Sequence, residues 1–258
     1  MNGIIEMQLW QFSLVYLLLL IVTVILKKSK VDQTKLLFLA SFRMTIQLIL
    51  AGFILTYIFQ NPHPVFTILY LAVMIGFTIY RVLSKNKGIT PAFQRVIAFS
   101  IAGSGLFVIL FFIYIVVGQN ISNPQYVIPI SGMIMGNTMT GVSLGVKTFR
   151  ESLNGQRAKI NALQCFGAAP DNILLPFMRQ ALETAMLPTL NSMIGMGIVS
   201  LPGMMTGQIL SGTLPTTAIL YQIAIMISIC TVVTMACFGS LYFGYKTFYS
   251  KTEQIINI

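Results

Sequence analysis

Seven stretches of about 20 apolar residues, each long enough to cross roughly 30 Å of hydrocarbon, partition this chain at 7–26, 37–59, 65–83, 96–117, 126–146, 187–209 and 219–242. A chain of 258 residues that is 56% hydrophobic and only 9% charged, with a mean hydropathy of +0.83, has no soluble core large enough to hide that surface. The expected fold is an all-α polytopic bundle of about seven membrane helices, forming one transmembrane domain over 1–258.

Sixteen Lys and Arg against six Asp and Glu would fit a nucleic-acid ligand by number alone, but their distribution argues otherwise. Lys27, Lys28, Lys30 and Lys35 follow the first span. Arg81, Lys85, Lys87 and Arg95 follow the third, Lys147, Arg150, Arg157, Lys159 and Arg179 the fifth, and Lys246 and Lys251 the seventh. The loops 60–64, 118–125 and 210–218 carry none. Basic residues collect on cytoplasmic loops, so every second loop is expected to be cytoplasmic, with the N-terminus outside and the C-terminus inside. Lipid, and no nucleic acid, is the implied environment.

The first span is expected to stay as a helix, because Glu6 stands where a signal peptide needs a basic n-region and the lysines come after the apolar run. Cys165, Cys230 and Cys237 are odd in number and lie on the cytoplasmic side or in the membrane, which excludes a disulfide framework. Cys230 and Cys237 fall on one helical face, where small buried hydrophobes are preferred to a soft-metal pair. His63, between Pro62 and Pro64, reads as a turn residue.

Absences narrow the chemistry. No span contains Asp or Glu, the groups with which ion-driven carriers bind their coupling ion. Gly141 to Thr148 approaches a phosphate loop but has Val146 where a glycine is required. Nothing has the spacing of a metal-dependent or nucleophilic active site. The chain is expected not to be an enzyme and to bind no cofactor of its own.

Spans five and six stand apart through their Gly, Met, Ser, Thr and Asn content, while the first four read as scaffold. In span five, Gly132, Gly136, Thr140 and Ser143 fall on one side of a helix and Thr138, Gly141 and Gly145 on the other. Small residues on both sides admit close neighbours, so this helix belongs in the middle of the bundle, packed on two helices or lining a path on one flank. In span six, Asn191, Gly195, Pro202 and Thr206 share an arc of about 60°, and Pro202-Gly203 is expected to break the helix. A break inside the membrane is covered by protein or faces a wet cavity. Nine methionines in and around spans five to seven serve as adaptable packing or as thioether ligands; whether any binds metal is undecided. Arg43 lies inside span two with Gln47 one turn deeper, either holding an anion or snorkelling to the headgroups.

The segment 147–186 is the longest connection, and long loops carry function. Its pattern predicts a helix near 156–165 stopped by Gly167, a turn, and a second helix capped by Asp171, with Leu174, Met178, Leu182 and Met186 on one face. Arg179 and Glu183 are spaced for an i,i+4 pair. Such an elbow, with Ala162, Leu163 and Phe166 near its tip, fits a partner's groove or lies on the membrane surface.

Gly-Asn-x-Met-x-Gly at 136–141, which brings in Asn137, Leu-Pro-Gly-Met-Met-x-Gly-Gln-Ile-Leu-x-Gly at 201–212, which contains Gln208, and Tyr-Gln-Ile at 221–223 resemble the FetB-type ABC transporter permease family. That family includes bacterial iron-export permeases and plant subunits linked to aluminium tolerance. The resemblance covers nearly the whole chain and implies a homodimeric permease in the bacterial plasma membrane, driven by a separate FetA-type ATPase that carries the ATP and magnesium. The elbow also resembles, more weakly, the loop by which importer permeases dock on their ATPases, with Asn161-Ala162-Leu163, Gly167 and Ile173 to Pro176 in corresponding positions. The acidic residue of that loop is missing here. Iron export is the solute reading that the resemblance favours; a sugar nucleotide or other anion, served by Arg43, stays open, as does a scaffold that recruits an ATPase and moves nothing.

Overall fold

In the computed structural model, which describes residues 8–86 and 88–248, all regular structure is helical. Glu6, Lys87 and Lys251 lie outside the described residues. The helices are α1 (Leu9–Lys28), α2 (Thr34–Gln60), α3 (Pro64–Lys85), α4 (Pro91–Phe111), α5 (Pro124–Gly155), α6 (Arg157–Cys165), α7 (Pro170–Gly195), α8 (Gly203–Leu210) and α9 (Pro215–Tyr245). Proline supplies the first residue of α3, α4, α5, α7 and α9. Its fixed φ suits that position and its missing N–H costs nothing there. The last turn of α4 widens into a π-helix, Phe112–Val116, a feature the sequence did not announce.

The chain is a multi-pass helical membrane protein. Among the described residues, six helices are long and apolar enough to cross a bilayer: α1, α2, α3, α4 with its π-turn, α5 and α9. The expected sixth span, 187–209, is not one helix; its first part is the end of α7 and its second is α8. The reason is the run Met196 to Pro202, where Gly197 takes φ +84°, a conformation costly for any residue with a Cβ. Gly197 N then donates to Ser200 O at 2.9 Å, closing a tight loop. The break therefore begins six residues before the expected Pro202-Gly203 site, and the arc of Asn191, Gly195, Pro202 and Thr206 is divided between two helices.

α5 occupies the middle and touches α3, α4, α7 and α9, while α4 packs along α9. Its glycines explain the closeness. A Cβ on Gly141 would lie 2.6 Å from Val233 Cγ1 and 3.4 Å from Ala185 O; one on Gly145 would lie 2.6 Å from Cys237 Sγ and 3.1 Å from Ala185 Cβ. Cys237 is thus a packing residue, fully buried, and Cys230 is half-buried. Phe93, Phe149 and Phe248 join α4, α5 and the chain beyond α9 through ring centroids 5.2–6.5 Å apart. The scaffold role expected of the first four spans divides in two. α3 and α4 enter the core, whereas α1 and α2 are hardly buried at all, and their Leu, Ile and Phe side chains face outward as lipid requires.

Candidate coupling elbow and membrane pathway

The connection 147–186, expected to hold a helix near 156–165 and a second beginning at Asp171, is almost entirely helix. α5 continues past Val146 to Gly155, α6 follows after Gln156, and α7 runs unbroken from Pro170 through Met186 to Gly195, with Pro176 and Pro188 inside it. At an α-helical rise of 1.5 Å, the 32 residues of α5 extend about 48 Å, well beyond a hydrocarbon core. The elbow is therefore continuous with the spanning helix α5 and with α7, whose end forms the first part of the expected sixth span, rather than hung between them.

Its corner is built by local chemistry. Gly167 adopts φ +77°; Ala168 N donates to Leu163 O at 3.0 Å and Gly167 N to Gln164 O at 2.9 Å. This satisfies the last carbonyls of α6 in a Schellman arrangement, as the expected stop at Gly167 requires. Ile160 is fully buried and Leu163 half-buried against the core, so α6 lies down on the bundle. Phe166, by contrast, is 88% exposed, and Ala162 beside it is exposed too. Of the three residues expected at the tip, Ala162 and Phe166 point away from the protein and Leu163 anchors the helix.

Asp171 is not the cap of α7. Ala169 occupies that position with Pro170 next, and Asp171 sits in the first turn, where its charge still favours the helix dipole. Its carboxylate accepts a hydrogen bond from the Tyr245 phenol at the end of α9. Arg179 and Glu183 are exposed, and among the described residues the i,i+4 ion pair found is instead Lys147 Nζ to Glu151 Oε1 at 3.7 Å. Pro176 is exposed as well, while Ile173, Leu174, Phe177 and Met178 are buried. At the root of the elbow, Arg150 and Arg157 line a cavity of about 580 Å³ together with residues 88–90 and Phe248.

The small residues of α5 separate into two faces. Gly141 is sealed against α7 and α9, as described above. Gly136, Asn137 and Thr140 are exposed, with nothing within 4 Å of a Cβ placed on Gly136. Asn137 Nδ2 donates to Met133 O at 2.8 Å and Thr140 Oγ1 to Gly136 O at 3.2 Å, so both polar groups are tied to their own helix. On α7, Asn191 is exposed and Gly195 half-buried; beyond the break, Gly203 is exposed and Pro202, Thr206 and Gln208 are half-buried. Thr206 Oγ1 returns its proton to Pro202 O at 3.1 Å.

Register fixes the depth of the break. Ala185 on α7 and Val233 on α9 meet at Gly141. Met196 and Gln222 are each eleven residues from that point, and Gln222 Nε2 lies 3.8 Å from Met196 Sδ. Gln222 is seven residues into α9, or about 10 Å along its axis. Non-helical backbone at that depth is covered by protein or wet, yet Ile198 and Val199 are 90% and 85% exposed. Gln222 itself is 5% exposed and its Oε1 has no partner. Sequence reasoning passed over this residue as a functional candidate; the available signal was a lone amide inside the apolar run from Ala218 to Ile229.

Arg43 and Gln47 are not brought to α5 or α7. They line a separate groove of about 460 Å³ between α2 and α3, with Arg81, and the Arg43 guanidinium stands 5.7 Å from the centre of the Phe77 ring. Among the described residues no three His, Cys, Asp or Glu side chains gather as a metal site.

A family model described as an uncharacterised protein family, UPF0014, matches residues 9–249. The chain is 30% identical to "UPF0014 membrane protein YjkA" of Bacillus subtilis over 94% of its own length and 96% of that protein's. It is 30% identical to "Probable iron export permease protein FetB" of Escherichia coli, over 95% and 94%. It is also 30% identical to the plant protein "ALUMINUM SENSITIVE 3" of Arabidopsis thaliana, over 83% and 77%. No solved structure matches the chain.

Proposed function

The chain belongs to the UPF0014 family, and from that footing we propose that it is the membrane permease of an ABC transporter that exports iron. In this reading two copies form the membrane part, and a separate FetA-type ATPase, carrying ATP and magnesium, works on the basic end of the bundle. The chain itself performs no catalysis.

The observation that carries the reading is the continuity of α5 and α7 from the elbow into the body of the bundle. Closure of the ATPase beneath the elbow shifts α6. Because α5 and α7 are single helices from α6 to the level of Asn137 and Asn191, that shift becomes a tilt of the exposed face formed by Gly136, Asn137 and Thr140. Paired across two copies, these faces enclose a path of amides, hydroxyls and carbonyls. Such hard, neutral ligands hold a metal ion weakly enough to release it, or hold its chelate. The irregular stretch 196–202 lets the outer part of the path bend without moving α9.

Reconstitution with the ATPase in proteoliposomes tests this. Iron or an iron chelate is expected to stimulate ATP hydrolysis and to accumulate on the side opposite the ATPase. Stimulation by sugar nucleotides alone would replace iron with an anionic solute, and association without any stimulated hydrolysis would leave a scaffold.

A further inference from the structure

The groove between α2 and α3 poses a problem of charge. Arg43 is nine residues beyond the first residue of α2 and Arg81 four residues before the end of α3, so both guanidiniums belong to the same basic end of the bundle, with Arg43 about 14 Å along its helix. Both are exposed on the outer surface, and both line the same groove of about 460 Å³. A cation at that depth needs a counter-charge. The chain has six acidic residues, and none lies between Asp32 and Glu151, the whole stretch that forms α2, α3 and α4. Among the described residues the contact found for the Arg43 guanidinium is the face of the Phe77 ring, and a ring face takes up none of the N–H donors in hydrogen bonds to an oxygen.

The rest of the groove describes the occupant. Gln47 adds an amide donor one turn deeper than Arg43, and Leu48, Ala51 and Phe77 continue it as an apolar trough along the helices. We propose that this groove is a binding site for an anionic phospholipid, its phosphate held between Arg43 and Arg81 and one acyl chain laid along Leu48 and Ala51. A guanidinium pair suits phosphate oxygens, and basic recesses between membrane helices recognise anionic headgroups. The apolar trough has no use for a free, soluble anion. The proposal is independent of the transported solute and of the ATPase.

Native mass spectrometry of the purified full chain, delipidated and then exposed to mixed micelles, reads retention directly. Phosphatidylglycerol is expected to be retained over phosphatidylcholine by roughly thirtyfold, the effect of two guanidiniums near an anionic headgroup. R43Q/R81Q is expected to lose that preference, R43K/R81K to keep most of it, and R95Q, which lies outside the groove, to be unchanged. Equal retention of the two lipids by the wild-type chain overturns the proposal, whether or not the double variant folds. So does displacement of phosphatidylglycerol by millimolar inorganic phosphate, which would make the groove a site for the free anion.

Discussion

The phenol of Tyr245, 2% exposed at the end of α9, donates a hydrogen bond to Asp171 in the first turn of α7. It joins the returning arm of the elbow to the last membrane helix. α9 in turn is packed along α4 and α5, so the elbow is braced from a second side as well as through its own continuation into α5.

Removing that bond loosens the brace. Y245F deletes the donor and leaves a buried ring in place, and a bond to a charged acceptor contributes about 1.5–3 kcal/mol. The variant is expected to unfold at lower temperature in detergent and, with the ATPase present, to hydrolyse ATP with less response to solute. Unchanged thermal stability would mean that the contact carries no load.

The two faces of α5 predict opposite responses to the same substitution. G145A puts a methyl 2.6 Å from Cys237 Sγ and 3.1 Å from Ala185 Cβ; overpacking of this kind costs about 1–3 kcal/mol. G136A meets nothing within 4 Å and gains the helix propensity of alanine, up to about 1 kcal/mol. Thermal unfolding is expected to fall for G145A, to rise or hold for G136A, and to recover in part for G145A/C237A. Transport, on the proposed reading, falls for G136A even though the fold is intact.

Phe166 separates docking from folding. Because its ring is 88% exposed, F166D is expected to leave the stability of the isolated chain within about 0.5 kcal/mol of the parent while reducing co-purification of the ATPase severalfold. L163D is the wrong probe, since Leu163 packs on the core and its substitution confounds the two effects.

Orientation is open to chemical labelling. Cys165 is exposed at the end of α6 and is expected to react with a membrane-impermeant maleimide only in inside-out vesicles, whereas T213C, between α8 and α9, reacts from the outside of intact cells. Labelling of Cys165 from outside would invert the topology and remove the elbow from any cytosolic partner.

What was legible in the sequence depended on how locally each feature is encoded. The elbow follows from short-range chemistry: Gly167 turns with positive φ, Pro170 suits a first helical position, and the period of Leu174, Met178, Leu182 and Met186 runs along one face, so its two helices were readable within a few residues. Hydropathy located the spans for the same reason. It could not see the break at Met196, because an apolar window scores alike whether its backbone is continuous or folded on itself. Pairings across helices were further out of reach. Asp171 satisfies Tyr245 rather than its own helix end, Arg43 faces α3 rather than α5, and the spacing that fits Arg179 to Glu183 is used instead by Lys147 and Glu151.

The position of α5 also has a consequence for how the protein is made. It is the least apolar of the six spanning helices and among the most enclosed, whereas α1 and α2 are richly apolar and lie almost bare at the rim. The outer pair partitions into lipid on its own account as it leaves the ribosome. α5 is long and apolar enough to cross as well, but its glycines, Asn137 and threonines are poor company for acyl chains; of the neighbours that shield it, α3 and α4 precede it and α7 and α9 are synthesised later. The fifth segment is thus fully enclosed only once its last neighbours have emerged, and the order of translation becomes a constraint on which residues this helix can tolerate.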